Sequence, residues 1–378
     1  MELTLEELQR YSRHLNLPNF GLDAQKKLKA SKVLVVGTGG LGAPMLQYLT
    51  AAGVGTIGVV DFDTVDASNL QRQVLFTSQD IGKSKVSSAI ERLSAQNPNV
   101  HFVPFETKLE SSNALEIIKD FDVVADGTDN FQTRYLVNDA CVLSGKTNVY
   151  ASIFQFEGQV SVFNFGFEDG TRGPNYRDLF PSPPPPGMVP SCAEGGVLGV
   201  LPGIVGSLQA SEVLKVLTGM GEPLVGRLFL FDALHFSSRI LKVQKDEANP
   251  ISGKCPSITE LIDYEEFCGL KNQEDQRGLS VQQLHQKPEG SYTLIDVRET
   301  YEYEAGNIDA LHIPLSNLET RLAEIPRQGE VIIHCKSGGR SQKAIDLLKD
   351  KYGYSNLINL DGGMLAWQKH IDPDLSVV

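Results

Sequence analysis

Short apolar runs alternate with longer stretches of helical periodicity through most of this chain. The apolar runs, which are typical of buried parallel strands, lie at residues 33–36, 56–60, 100–105 and 122–125. The stretches of helical periodicity lie at residues 41–52, 83–96, 112–119 and 131–143. Alternation of this kind predicts an open, doubly wound α/β sheet.

Other patterns flank this alternation. Apolar residues at helical spacing predict that residues 1–30 are helical. Alternating apolar residues at 148–154 and 158–165 predict an antiparallel hairpin. A core helix is predicted at 203–217, and a strand at 228–234 is predicted to close the domain.

A smaller α/β pattern occupies the end of the chain. Strands are predicted at residues 293–297, 331–334 and 356–360, each followed by a helical stretch. A chain of 378 residues is too long for one ordinary core. We therefore predict a first domain at 1–248, a polar linker at 249–278 and a second domain at 279–378.

Composition narrows the class of protein. No apolar run is long enough for a membrane span, and the charged N-terminus lacks a signal core, so a cytoplasmic protein without membrane attachment is predicted. A formal net charge of −13 disfavours stable binding to nucleic acid. Five scattered cysteines indicate reduced thiols rather than a disulfide framework.

A glycine-rich turn follows the first strand. Gly37, Gly39 and Gly42 form a G-x-G-x-x-G pattern that lets the backbone approach a phosphate at the N-terminus of the next helix. Asp61 ends the second strand about 20 residues later, where a carboxylate can bind ribose hydroxyls. This Rossmann-like unit suits any nucleotide. An NAD-dependent oxidoreductase would share it.

The residues after Asp61 favour a triphosphate over a nicotinamide. Arg72 and Lys85 place a guanidinium and an ammonium close to one nucleotide. Asp129 follows the fourth strand and adds a second carboxylate. From spacing alone, Asp129 is better interpreted as the N-cap of the helix at 131–143, although an N-cap can also bind a magnesium ion.

Three motifs together resemble the ThiF/MoeB/HesA family, the bacterial relatives of ubiquitin-activating enzymes. They are GTGGLG, SNLQRQ after DFD, and DGTDN. The resemblance implies ATP-dependent adenylation of the C-terminal glycine of a ubiquitin-like sulfur carrier protein, with Asp129 binding Mg²⁺. It also implies a homodimer in which Arg13 reaches the ATP of the other subunit. The implied ATP-binding residues are Gly40, Asp61, Ser68, Asn69, Leu70, Gln71, Arg72, Lys85, Asp129 and Asn130.

The resemblance also has implications for a catalytic cysteine and for the cysteine pairs of a structural zinc site. It implies that Cys192, in PSCAEGGVLG, is the activating-enzyme cysteine, whereas the sequence alone leaves an ordinary loop residue equally open. Relatives usually bind a structural zinc through two C-x-x-C pairs. Here Asn175 and Asp178 stand at the first pair, and the second region holds only Cys255, so no structural zinc is predicted.

A cysteine ends a strand of the second domain. Cys335 is followed by a glycine turn and by Arg340, with four residues between them rather than the five of cysteine phosphatases. Backbone N–H groups of such a turn, with Lys336 and Arg340, would stabilise a sulfur anion. With the flanking segments, the domain resembles rhodanese, which implies that Cys335 carries a persulfide beside Arg340.

Together these features predict an adenylyltransferase joined to a sulfurtransferase. The carrier would be adenylated and then converted to a thiocarboxylate by the persulfide of Cys335, in molybdopterin or thiamine biosynthesis. A cysteine desulfurase or thiosulfate would supply the sulfur. Two alternatives stay open from the sequence: an NAD-dependent oxidoreductase and a non-catalytic protein that docks carriers.

Overall fold

The computed structural model describes residues 2–185, 195–269, 278–288 and 290–378. The described residues form two compact units. The first holds residues 2–184 and 195–268, and the second holds Pro185, Gly269 and the described residues from 278 onward. No helix among the described residues is long and apolar enough to cross a membrane.

An eight-stranded sheet organises the first unit, in the order β3-β2-β1-β4-β5-β6-β7-β8. The first five strands pair in parallel, and the last three are antiparallel. This arrangement confirms the predicted doubly wound sheet and hairpin. The strands are β1 (Lys32–Val36), β2 (Thr56–Val60), β3 (His101–Phe105), β4 (Val123–Asp126), β5 (Thr147–Phe154), β6 (Glu157–Phe163), β7 (Arg227–Asp232) and β8 (Ser237–Lys242).

Ten α-helices lie wholly within the described residues of this unit. They are α1 (Leu5–Arg10), α2 (Ser12–Leu15), α3 (Gly21–Ala30), α4 (Gly42–Ala52), α5 (Lys85–Gln96), α6 (Ala114–Ile118), α7 (Phe131–Leu143), α8 (Tyr176–Leu179), α9 (Leu201–Thr218) and α10 (Tyr264–Phe267).

Burial on both faces explains the continuous apolar runs. Val33 and Val35 pack into one hydrophobic cluster with residues of α4, α5 and α9. Leu34 and Val36 point to the opposite face and pack with residues of α6 and α7. Successive side chains of a strand alternate between faces, so a strand covered by helices on both sides needs apolar residues at every position.

Two features of the first unit differ from the prediction. The N-terminal helix is three helices, because the chain turns between α2 and α3 where Asn19 adopts a positive φ of 64°. Strand β8 was not predicted, and β7 therefore does not close the sheet. All six residues of β8 are exposed, so the strand lacks the alternation by which half-buried strands are recognised.

The second unit is built on a four-stranded parallel sheet in the order β10-β9-β11-β12. Val331 and Ile333, in the strand Glu330–His334, face one hydrophobic cluster, and Ile332 of the same strand faces another. The elements are β9 (Tyr292–Asp296), β10 (Leu311–His312), β11 (Glu330–His334), β12 (Leu357–Asn359), α11 (Val281–His285), α12 (Thr300–Ala305), α13 (Gly339–Tyr352) and α14 (Gly363–His370).

The segment after β8 packs onto the first unit. Arg177 forms a fully buried ion pair with Asp139 at 2.7 Å, and its guanidinium lies over the rings of Tyr135 and Phe267. Tyr264 donates a hydrogen bond to the same carboxylate at 2.8 Å. The short helix α10 is therefore anchored to α7, although the sequence places it in the predicted linker. The predicted boundaries at 248 and 279 stay predictions.

We predict that Gly42→Ala destabilises the first unit. A Cβ atom at Gly42 would lie 1.9 Å from the carbonyl oxygen of Gly37, closer than nonbonded atoms can approach. The turn must shift, and the free energy of unfolding should fall by about 1–3 kcal/mol. Urea denaturation followed by circular dichroism measures this change.

Gly39→Ala is the matched control for this substitution. The nearest atom to a Cβ at Gly39 is Nε2 of Gln73, at 3.5 Å, which is ordinary van der Waals contact. Equal stability of the two variants would show that the close approach of Gly42 to Gly37 does not constrain the turn.

Candidate functional site

A pocket opens where β1, β2 and β4 end. It encloses a cavity of about 130 Å³. Parallel strands bring their carboxyl ends to one edge of a sheet, and ligands bind at that edge. The pocket brings together six of the residues predicted from the sequence, namely Gly40, Asp61, Arg72, Lys85, Asp129 and Asn130.

Asp61 is held in place by a residue of the glycine turn. Its Oδ2 accepts hydrogen bonds from the backbone N–H of Thr38 at 2.8 Å and from the Thr38 hydroxyl at 2.7 Å. Its Oδ1 accepts one from the N–H of Asp63 at 3.0 Å. The carboxylate is thus fixed at the end of β2 beside the turn. Thr38 was not singled out from the sequence, because a threonine in a turn carries no distinctive signal.

Lys85 is a buried cation rather than a surface lysine. Its ammonium forms an ion pair with Asp63 at 2.8 Å, and its side chain is only 6% exposed. Arg72 is half-buried, and its guanidinium donates to the carbonyl of Ser68 at 3.1 Å. Both cations line the pocket. The lining also holds Lys108 and the carboxylates of Asp61, Asp63 and Asp129. Positive groups for an anionic ligand therefore lie beside carboxylates that suit its counter-cation.

Asn130, and not Asp129, caps α7. The Asn130 side-chain oxygen accepts a hydrogen bond from the N–H of Thr133 at 2.9 Å. The interpretation of Asp129 as the N-cap is therefore wrong. The Asp129 carboxylate is exposed on the pocket lining. Behind it, burial raises the pKa of Asp126, whose Oδ1 accepts a hydrogen bond from Thr128 at 2.6 Å.

Other predicted residues do not line this pocket. Ser68, Asn69, Leu70 and Gln71 lie in and after a short turn of 3-10 helix, Ala67–Asn69, which leads into Arg72. Arg13 is exposed on α2. Cys192 lies outside the described residues.

The sulfur of Cys335 lies inside a turn of the second unit. Its Sγ accepts a hydrogen bond from the backbone N–H of Gly338 at 3.2 Å and contacts the hydroxyl of Ser341 at 3.4 Å. Gly338 has a φ of 100°, which only glycine adopts readily. The thiol is 1% exposed. Ser341 was not predicted from the sequence.

Arg340 is paired with a carboxylate from another element. Its guanidinium binds Glu302 of α12 through two hydrogen bonds, at 2.5 and 2.7 Å. The sequence predicted Arg340 beside the sulfur but not this partner, which lies 38 residues away along the chain. Although burial favours the neutral acid, the hydrogen bonds from Arg340 hold the pKa of Glu302 below its usual value.

Known protein families match both units. Residues 11–256 match the ThiF family, and residues 280–370 match the Rhodanese-like domain. The chain belongs to the ThiF family. The first unit is thus its ThiF domain, and the second is its rhodanese domain.

Relatives match along nearly the whole chain. It is 47% identical to the probable adenylyltransferase/sulfurtransferase MoeZ of Mycobacterium tuberculosis, covering 99% of this chain and 96% of that protein. It is 42% identical to the adenylyltransferase and sulfurtransferase MOCS3 of Bos taurus, and the match covers 98% of this chain and 87% of that protein. A sulfur carrier protein adenylyltransferase of Thermus thermophilus is 55% identical over 72% of this chain and 100% of its own length.

Solved structures share the fold of the ThiF domain. E. coli MccB superposes with a TM-score of 0.58 at 20% identity, covering 67% of this chain and 75% of that chain. A crystal structure of E. coli MccB with ATP has a TM-score of 0.55 at 21% identity, and the match covers 65% of this chain and 74% of that chain. These likenesses support the Rossmann-like architecture.

Hydrogen bonds join the two segments for which no structural zinc was predicted. Asn175 donates to the hydroxyl of Ser252 at 2.7 Å, and Asn249 donates to Asp178 at 2.7 Å. Cys255 is exposed. Structural zinc sites use four thiolate or imidazole ligands, so this donor set does not fit zinc. Hydrogen bonds connect the two segments instead.

A magnesium ion in a nucleotide site needs fewer protein ligands than a structural zinc ion. Among the described residues, no group of three or more His, Cys, Asp or Glu side chains could hold a metal ion by itself. Mg²⁺ in nucleotide sites takes one or two carboxylates and completes its shell with phosphates and water. The exposed carboxylate of Asp129 on the pocket lining fits that arrangement.

We predict that Glu302→Gln destabilises the rhodanese domain by about 3 kcal/mol, because it leaves a largely buried guanidinium without its counter-charge. The single tryptophan of the chain, Trp367, lies in this domain, so its fluorescence during urea denaturation reports the change. A group with a depressed pKa loses its contribution as pH falls. The difference in the free energy of unfolding between the wild type and the variant should therefore decrease at pH values below the ordinary glutamate pKa of about 4.3.

Glu324→Gln is the control for this variant. Glu324 makes the same kind of carboxylate–guanidinium pair with Arg321, but both side chains are at least one-third exposed. Solvent screening makes such a pair worth about 0–1 kcal/mol. Similar losses in the two variants would contradict a special role for the Arg340–Glu302 pair.

Proposed function

We propose that this chain activates the C-terminal carboxylate of a ubiquitin-like sulfur carrier protein with ATP and then transfers sulfur to it. The chain is an adenylyltransferase and a sulfurtransferase, as its matches to MoeZ and MOCS3 along nearly its whole length and to both families support. One observation carries the proposal. A pocket lined by a glycine turn, Arg72 and Lys85 lies in one domain, and a cysteine held by a glycine turn lies in the other.

ATP would lie across the ends of the parallel strands. Its phosphates would meet the turn at Gly40 and the charges of Arg72 and Lys85, with Asn69 nearby. Its ribose hydroxyls would bind Asp61, whose orientation Thr38 fixes. Asp129 would hold Mg²⁺, which neutralises phosphate charge when bound.

Adenylation is an in-line displacement at the α-phosphate. A carboxylate oxygen of the carrier's terminal glycine attacks phosphorus, and pyrophosphate leaves as its bond to the α-phosphate breaks. The reaction needs positioning and charge neutralisation more than a general acid or base. Arg72 and Lys85 supply the charge. By resemblance, Arg13 of the partner subunit would add a third cation, which makes a homodimer the proposed working unit.

Sulfur transfer follows at the acyl-adenylate. The terminal sulfur of a Cys335 persulfide attacks the carbonyl carbon, AMP leaves, and the carrier is joined to Cys335 by an acyl disulfide. A second thiol, for which Cys192 is the candidate, then attacks the Cys335 sulfur. This releases the carrier thiocarboxylate and leaves a disulfide between Cys192 and Cys335. A thiol reductant must supply two electrons to reduce that disulfide before the next turnover. The N–H of Gly338 is placed to stabilise sulfur anions at Cys335.

The donor, pathway and compartment are part of the proposal. A cysteine desulfurase or thiosulfate would load Cys335, and the thiocarboxylate would serve molybdopterin or thiamine biosynthesis in the cytoplasm. The name of the Thermus relative supports a sulfur carrier protein as the substrate. The name of the Bos taurus relative supports both the adenylyltransferase and the sulfurtransferase activity. The NAD-dependent oxidoreductase and the non-catalytic docking protein are not favoured, because neither accounts for those relatives and for Cys335 together.

Intact-mass measurement tests the proposal directly. Candidate carriers are incubated with the protein, Mg·ATP and thiosulfate, and the mass of each carrier is compared before and after. Replacement of one carboxylate oxygen by sulfur in a carrier supports the proposal. No mass change in any ubiquitin-like carrier, together with no carrier-dependent exchange of pyrophosphate into ATP, would refute it.

We predict that Cys335→Ala separates the two activities. The variant should keep carrier-dependent ATP–pyrophosphate exchange, because the nucleotide pocket lies wholly within the ThiF domain. It should lose transfer of sulfur from thiosulfate to cyanide, because the thiol held by the rhodanese turn, which would carry the persulfide, is removed. Cys255→Ala, which removes an exposed thiol of the ThiF domain, is the control and should keep both activities. Loss of exchange in Cys335→Ala would contradict this division.

We predict the opposite separation for Arg72→Ala. Removal of a charge-assisted contact to phosphate should lower the exchange rate by about 10²-fold or more. Thiosulfate-to-cyanide transfer should be unchanged. Lys119→Ala removes an exposed cation of the same domain and should leave both rates unchanged. Parallel loss of both activities in Arg72→Ala would indicate one composite site instead of two.

A further inference from the structure

A second and larger cavity adjoins the nucleotide pocket. It encloses about 440 Å³, and Lys108, Leu109 and Thr133 line both spaces. The first cavity, at about 130 Å³, is below the range of about 300–1,000 Å³ that small-molecule sites occupy. A nucleotide in the first cavity can extend into this neighbouring space.

The far side of the second cavity is formed by residues 261–265, close to the C-terminal end of the ThiF domain. Three contacts hold this segment in place. The hydroxyl of Ser111 donates to the carbonyl of Ile262 at 2.6 Å. The ammonium of Lys108 pairs with Glu265 at 2.8 Å. Buried Tyr264 donates to Asp139 at 2.8 Å.

The residues that line the pocket indicate where the phosphate end and the base end of a nucleotide would lie. The cations Arg72 and Lys85 and the glycine turn mark the phosphate end, and Asp61 follows as the ribose contact. Leu109, which is buried, and Thr133 then lead into the second cavity. The wall beyond them carries Leu261 and Ile262, apolar residues that suit the face of a purine base.

We propose that residues 261–265 form the outer wall of the base end of the ATP site, and that the Lys108–Glu265 ion pair holds this wall in place. The inference rests on the proposed function, because it takes ATP as the ligand of the pocket. It adds Lys108 and Glu265 as positioning residues. It also makes the chain segment that precedes the rhodanese domain in the sequence a part of the nucleotide site.

The ion pair suits mutational analysis. Lys108 and Glu265 are 45% and 46% exposed, so their pairing contributes little to folding stability. The segment keeps its other two anchors, at Ser111 and Asp139, when the pair is broken. Variants at Lys108 and Glu265 should therefore fold. Because Lys108 also lines the nucleotide pocket, the effect of the wall is read from the Glu265 variant and from the double variant, and not from the Lys108 variant alone.

Hydrogen–deuterium exchange of the full chain, with and without a non-hydrolysable ATP analogue and Mg²⁺, tests the placement. The analogue should slow exchange in peptides covering residues 37–45 and residues 258–268. Protection of residues 37–45 alone would overturn the wall and leave the proposed function intact. Protection of neither peptide, or of residues 258–268 alone, would contradict the proposed placement of the nucleotide and the wall with it.

Charge reversal tests the ion pair. Lys108→Glu and Glu265→Lys should each raise the KM for ATP in pyrophosphate exchange about two- to fivefold, with little change in kcat, as loss of an exposed pair allows. The double variant restores opposite charges and should return the KM towards the wild-type value. Lys119→Glu, which disrupts the exposed pair of Lys119 with Glu116, is the matched control and should leave the KM unchanged.

Two outcomes would overturn the role of the pair. In one, the single variants keep the wild-type KM. In the other, the double variant is as impaired as the product of the two single variants, which would show that the two residues act independently. Thiosulfate-to-cyanide transfer should be unchanged in all of these variants, because Cys335 is untouched.

Discussion

The nucleotide pocket depends on one steric constraint, the close packing of a turn against the end of a parallel strand. Strands β1, β2 and β4 end at the same edge, and the chain must turn there without filling the space that they enclose. A Cβ at Gly42 would collide with the Gly37 carbonyl, and Gly37 itself adopts a φ of 89°. Because this turn is tight, Thr38 reaches Asp61 and fixes its carboxylate. Side chains from separate strands therefore converge on one ligand.

The rhodanese domain uses the same geometry for a different anion. Cys335 follows β11 directly, and its glycine turn leads into α13, as the turn after β1 leads into α4. The two turns differ in charge. Arg72 and Lys85 lie beside the first turn, where the proposed triphosphate would carry several charges, and Lys85 is itself paired with Asp63. The proposed sulfur anion carries one charge. At Cys335 the described contacts are a backbone N–H and a hydroxyl, and the guanidinium of Arg340 is already paired with Glu302. The N–H of Gly338 can stabilise a single charge there together with the nearby guanidinium of Arg340.

The sequence predicted the parts of this protein that have a local signature. Buried strands, the glycine pattern and the polar residues at strand ends were found because spacing along the chain sets their geometry. Partners that are distant in sequence were missed. Asp63 lies 22 residues from Lys85, Glu302 lies 38 from Arg340, and Glu265 lies 157 from Lys108. No periodicity encodes such pairs, because the fold alone brings them together. The role of Asn130 as the N-cap of α7 was missed for a subtler reason, since Asp129 and Asn130 are both good caps and a shift of one residue decides between them.

Joining both activities in one chain has a kinetic consequence for the proposed reaction. An acyl-adenylate is a reactive mixed anhydride, and water competes with the persulfide for its carbonyl carbon. A sulfur donor on the same chain attacks at an effective concentration that can reach about the millimolar range for short flexible connections. A separate sulfurtransferase would have to match that concentration in solution. The advantage requires only that Cys335 can reach the acyl-adenylate, so it places no demand on a fixed arrangement of the two domains. The ThiF domain can then be optimised to bind and activate, and the rhodanese domain to hold sulfur, without a shared active site.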